Sequence, residues 1–212
     1  MIHAYRENYL SNAQSALGEA FDYAINTCKI PGEQFINLFV VSSISKKMEN
    51  AEPSVIAGKS GVELVKEIMA ETTGKEPTAE SSEKFSRSAE YWIGWVVAYY
   101  QWWSGKKYST IFKALSFDDL HKMYFTLHEA DVSKFADIAD ARIKEIFPET
   151  NLKRIRTYYG CSQAELAKMS GVSLRSIQMY EQRNKDINKA SADTLYRIAR
   201  TLGCEMEDLI QK

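Results

Sequence analysis

"SQAELAKMSGVSLRSIQMYEQR", residues 162–183, holds two helix starts separated by one glycine. Ser162 followed three residues later by Glu165 is a capping box, in which each side chain satisfies the other residue's free backbone N–H. Cys161 can pack on Leu166 as the accompanying hydrophobic staple. The spacing therefore predicts a helix from Gln163. Gly171 stands where the chain must turn with positive φ, and Ser173 is a second N-cap, with Val172 and Ile177 repeating the staple. A further helix is predicted from Leu174. Two short helices joined by a tight Gly-containing turn form a helix-turn-helix, whose second helix enters the major groove of DNA.

The periodicity of that second helix separates two faces. Ile177 and its neighbour one turn on, Tyr180 or Glu181, face a core, while Leu174, Arg175, Gln178 and Gln182 lie opposite. The outer set is chemically suited to bases. Arg donates two bonds to guanine O6 and N7, Gln pairs with adenine N6 and N7, and Leu174 can touch a thymine methyl. Gln163, at a helix N-terminus, is placed for a backbone phosphate, with Arg183, Lys185 and Lys189 following as further phosphate contacts.

Working outward, "LKRIR", "SQAELA", "GVS", "SIQMYE", "DTLYRIARTLG" and "EMEDLI" follow in order from Leu152 to the C-terminus. This region resembles the Xre/Cro type of phage-repressor-like helix-turn-helix domain over about 60 residues. The resemblance implies a five-helix, lambda-repressor-like domain and an ion pair between Arg156 and Glu181. It also implies DNA contacts at Gln163, Ser173, Leu174, Arg175 and Gln178. One departure concerns "QRNKDINKA" after Glu181, which is longer than the family's usual connection and lacks the expected Gly; phosphate contacts in that loop are correspondingly in doubt.

Charge divides the chain at the same place. Residues 1–150 carry 16 Lys+Arg against 21 Asp+Glu, a balance of −5, and residues 151–212 carry 11 against 7, a balance of +4. The basic excess sits on the short segment, as a nucleic-acid partner requires. "FPETN", residues 147–151, ends one helical pattern before Pro148 and marks the boundary, giving domains 1–147 and 148–212.

The N-terminal domain also reads as helical. Tyr9, Ala13, Ala16, Leu17, Ala20, Ala24 and Cys28 form one helix face, punctuated by Pro31. Phe35, Leu38, Phe39 and Ile44 follow; "FINLFVVSSI" fits a strand too, but helix is favoured. Val62, Val65, Ile68 and Met69 predict another helix. Phe85, Ala89, Trp92, Val96, Tyr99 and Trp103 line a long aromatic one. Ser116 with Asp119 caps "FDDLHKMYFTL", and Val132, Phe135, Ile138, Ala139 and Ile143 line the last helix. All four tryptophans, Trp92, Trp95, Trp102 and Trp103, crowd into one helix, too many for a single stripe. They are read as core whose edges offer a surface for a partner or ligand.

Other chemistry is weak. "PSVIAGKSG" ends like a P-loop, but Pro53 stands where that motif requires Gly. His3, His121 and His128 lack metal spacing, and Cys28, Cys161 and Cys204 form no C-x-x-C pair, so neither metal nor cofactor is expected. No nucleophile motif appears, and enzymatic activity is not expected. "MIHAYRENYL" is too polar for a signal peptide, and the most apolar stretch, residues 91–103, is shorter than the roughly 20 residues of a membrane span, which points to a cytoplasmic location.

The chain is thus read as all-α: an N-terminal helical domain that senses a ligand or protein, and a C-terminal domain that represses transcription as a homodimer on double-stranded DNA. The alternative is an antitoxin, whose N-terminal domain neutralises a co-encoded toxin while the C-terminal domain represses the shared operon.

Overall fold

The computed structural model describes residues 3–80 and 87–211. Every regular element among them is a helix. Two compact units divide after Ile146. Phe85 of the aromatic pattern lies outside the described residues.

The first unit contains α1 (Leu10–Asp22), α2 (Gly32–Val41), α3 (Ser43–Glu49), α4 (Pro53–Ile56), α5 (Gly61–Thr73), α6 (Ala89–Ser104), α7 (Tyr108–Ala114), α8 (Phe117–Leu127) and α9 (Val132–Ile146). Its most extensive helix pair is α1 with α6. Ala13, Ala16, Leu17 and Ala20 form the small-residue face of α1, all buried. Gly18 and Gly94 let the two backbones touch, since a Cβ placed on Gly94 would lie 2.3 Å from the Leu17 carbonyl oxygen. Such proximity brings whole helix surfaces into dispersion contact.

"FINLFVVSSI" is helical, but not as one element. Ser42 is extended at φ −69°, ψ 160°, and its hydroxyl donates back to the Phe39 carbonyl at 2.8 Å. The next helix is restarted from a distance, because the Glu71 carboxylate of α5 accepts both the Ser43 N–H and its hydroxyl. Ile44 consequently belongs to α3, not α2. The short helices α4 and α7 were not signalled by periodicity. Pro53 opens α4, and α7 is capped across the fold by Glu49, which accepts the Tyr108 N–H at 2.8 Å.

Local caps follow the sequence more directly. Ser116 and Asp119 form the capping box of α8. Hydrogen bonds from the Ser116 hydroxyl, and then from its backbone, hold Asp119 below the ordinary carboxylate range. A depressed folded value means that this contribution is present above the unfolded pKa and lost as pH falls through the folded one. Asp119→Ala is therefore expected to cost about 1 kcal/mol near neutrality, the usual worth of a cap. The deficit should shrink as melts are repeated at progressively lower pH, through and below the ordinary carboxylate range; a deficit that does not change with pH would assign the loss to something else.

The second unit contains α10 (Asn151–Tyr159), α11 (Gln163–Ser170), α12 (Leu174–Glu181), α13 (Ala192–Leu202) and α14 (Met206–Leu209). Leu152, Leu166, Ile177, Ile198 and Leu209, one from each helix, are fully buried in a single cluster. Ser162, Ser173 and Ser191 cap the helices they precede.

Candidate nucleic-acid interface

α11 and α12 meet through three residues. Gly171 turns the chain at φ +67°, a conformation that costs a residue with a Cβ about 1–2 kcal/mol. Ser173 then caps α12 by accepting the Ser176 N–H at 3.1 Å. On the inner side of α12, Ile177 is 0% and Tyr180 4% exposed. On the outer side Leu174 is 40% exposed, Arg175 is exposed and Gln178 half-buried. Among the described residues, neither Arg175 nor Gln178 makes a side-chain hydrogen bond or ion pair. Their donors are free.

Behind this face lies a charged clasp. Arg156 donates from Nε and Nη2 to the two carboxylate oxygens of Glu181, at 2.5 and 2.9 Å. Its Nη1 reaches the Cys161 carbonyl at 2.6 Å. The Glu181 side chain is 1% exposed, so the pair is bidentate and dry, and hydrogen bonding to Glu181 raises the Arg156 pKa further above its usual value. Such a fork fixes distance and angle together. It holds α10, the α10–α11 turn and the C-terminal end of α12 in one register.

With this geometry in place, comparison with protein families gives a match over residues 152–209 to the family model described as Helix-turn-helix. The C-terminal unit is an Xre/Cro-like helix-turn-helix domain. Curated proteins and solved structures give no match to the chain. The helix-turn-helix domain is a DNA-binding module, and α12 is the second helix of its helix-turn-helix.

Not every expected contact residue of the helix-turn-helix stands free. Gln163 turns inward, its Nε2 donating to Glu181 Oε2 at 2.7 Å, because the half-used carboxylate at the end of α12 has a lone pair within reach. The side chain read as a phosphate ligand is thus a third member of the clasp. Ser173 spends its hydroxyl on the cap and on Ser176 Oγ at 2.8 Å. Lys185 extends over the Tyr180 ring at 5.3 Å.

Arg183 carries the main surprise of the long loop. It occupies the left-handed region at φ +58°, the conformation that a Gly would ordinarily supply. Its Nη2 donates to the Pro148 carbonyl at 2.8 Å and to Gln211 Oε1 at 3.2 Å. Asn188 also pairs with the Gln211 backbone through both ends of its amide, at 2.7 and 2.8 Å. Ile187 is buried in the helix-turn-helix core. The inserted loop is a clamp on the two ends of the domain, a role that its sequence did not announce.

In the N-terminal unit the four tryptophans separate. Trp102 is 6% exposed, its ring stacked on His3 at 3.9 Å and its indole N–H donated to the Tyr5 carbonyl at 2.9 Å. It does not belong to an accessible surface, contrary to the expectation, because the N-terminal segment covers it. Trp103 is half-buried and stacks on Tyr100 at 5.9 Å. Trp92 and Trp95 line a cleft of about 370 Å³ between α6, α8 and α9. No helix among the described residues is long and apolar enough to cross a membrane.

Proposed function

We propose that the protein is a sequence-specific transcriptional repressor that binds an operator as a homodimer through α12. The observation that carries this reading is the free outer face of α12, with Leu174, Arg175 and Gln178 opposite an inner face anchored by Ile177 and Tyr180. Arg183 and Lys185, although held within the domain by Pro148 and Gln211 and by the Tyr180 ring, keep their positive charge beyond the C-terminal end of the helix, where a phosphate strand would pass. A single domain of this size buries a modest interface, so two copies on an inverted repeat, about one helical turn apart, supply the needed affinity. The N-terminal unit supplies the sensing function, and the cleft beside Trp92 and Trp95 supports that assignment.

Selection of bound duplexes from a random pool is expected to enrich an inverted repeat. On that sequence, Arg175→Ala or Gln178→Ala should each lose about 1–3 kcal/mol of binding free energy and relax preference at one base pair. Gel-shift titrations at fixed salt that left both variants at parental affinity would remove α12 as the reading helix.

A second reading draws on Val41 and Phe125, 68% and 67% exposed on the N-terminal unit. Large apolar side chains so exposed suit a protein partner, as an antitoxin requires. Rescue of cells from the product of an adjacent gene, lost in Phe125→Asp, would favour it over ligand sensing.

A further inference from the structure

The cleft in the N-terminal unit has a chemical character more specific than an apolar groove. Its walls are rings: Tyr91, Trp92 and Trp95 from α6, Tyr124 from α8 and Phe135 from α9. Trp92 is fixed edge-on against Tyr124 and Phe135, at 5.7 and 5.9 Å. Trp95 is half-buried and makes no such ring contact among the described residues. Its face is available to a guest. A volume of about 370 Å³ lies at the small end of the usual range for ligand sites and leaves room for about two or three rings; an extended peptide needs a longer track.

The polar groups at its edge favour one sign of charge. Among the described residues lining the cleft, Arg87 is the only permanently charged one and none is a carboxylate. Its guanidinium lies 4.8 Å from the centre of the Tyr91 ring, which presents the cation at the mouth. The Ser88 hydroxyl is already used, donating to Asp22 at 2.5 Å and capping α6. His128 Nδ1 is 2.8 Å from the Tyr124 carbonyl; since a carbonyl only accepts, Nδ1 carries the hydrogen, and Nε2 lies 3.6 Å from the carboxylate of the solvent-exposed Glu129, which is not among the described residues lining the cleft. A guanidinium binds oxyanions through paired N–H groups.

The geometry points to a binding site for a planar aromatic anion, its rings against Trp92, Trp95 and Phe135 and its acidic group on Arg87. The inference rests on the sensing role proposed above and names its ligand class. The location suits that role, because α9, which contributes Phe135, is the helix that leads into the linker at Pro148.

The test uses the full chain and 8-anilinonaphthalene-1-sulfonate, an aromatic sulfonate whose emission rises on desolvation and which accepts energy from nearby tryptophan. Saturable binding of one probe per chain is expected, with quenching of Trp92 and Trp95. Arg87→Glu, at an exposed position, should weaken it about tenfold or more. Leu127→Trp, which fills the cleft, should abolish it, with circular dichroism verifying the fold. The uncharged analogue N-phenyl-1-naphthylamine should bind at least about tenfold more weakly than the sulfonate. Equal binding of the two probes, or an unchanged affinity in Arg87→Glu, overturns the proposal. So does a Leu127→Trp chain that loses self-association but keeps the probe, since the cleft would then be a contact between copies. None of these measurements involves DNA, so failure here leaves the operator titrations standing.

Discussion

Arg156→Met is expected to unfold the C-terminal unit while leaving the N-terminal unit folded. Removing the guanidinium leaves Glu181, whose side chain is 1% exposed, with the neutral Gln163 amide in place of a counter-charge, and also frees the Cys161 carbonyl. Breaking a buried pair by deleting one partner costs about 3–5 kcal/mol. A single core of this size rarely supplies more than about 3–5 kcal/mol, so the loss is comparable to the whole stability of the unit. The readout is favourable, because all four tryptophans lie between residues 92 and 103. Tryptophan fluorescence should show one unfolding transition at its parental midpoint, while far-ultraviolet circular dichroism shows a second transition displaced to lower temperature. Replacing both partners, as Arg156→Met with Glu181→Leu, should recover much of the loss, since an apolar pair leaves no buried charge. If Arg156→Met melted like the parent by both probes, the clasp would contribute nothing to the fold.

Gly94→Ala is expected to be among the most damaging small changes in the N-terminal unit. On helix propensity alone it should stabilise α6 by about 1 kcal/mol. The added methyl, however, would lie 2.3 Å from the Leu17 carbonyl oxygen and 2.9 Å from the Gly18 Cα. Those are backbone atoms and cannot rotate away, so α1 and α6 must separate along their whole contact. Overpacking ordinarily costs about 1–3 kcal/mol, and a rigid obstacle places this case at or above the top of that range. Denaturant titration followed by tryptophan fluorescence should show the midpoint fall, with the C-terminal unit unaffected. A midpoint equal to or above the parental value would mean that the helices tolerate the separation.

These two sites differ in how readable they were. The Arg156–Glu181 pair was expected from resemblance to a family whose motifs occupy a short, ordered stretch. Gly94 gave no signal within "YWIGW", because its importance comes from α1, more than 70 residues earlier. The same division recurs elsewhere. Capping boxes at Ser116 and Ser162 are reciprocal contacts over three residues, so the chain writes them locally. The break between α2 and α3 depends on Glu71, and the start of α7 on Glu49, and neither carboxylate has a sequence address near the helix it caps.

Sequence by itself determined the helical class, from apolar spacing near 3.6 residues, and the two-helix reading motif, from caps and a turn glycine whose physics spans only a few residues. It also placed Leu174, Arg175 and Gln178 on one face of α12. Tertiary structure alone decided which polar side chains were already occupied: Gln163 by Glu181, Arg183 by Pro148 and Gln211, Trp102 by His3 and Tyr5. A hydrogen bond saturates its donor, and the partner that saturates it is chosen by proximity in space, which periodicity along the chain does not encode.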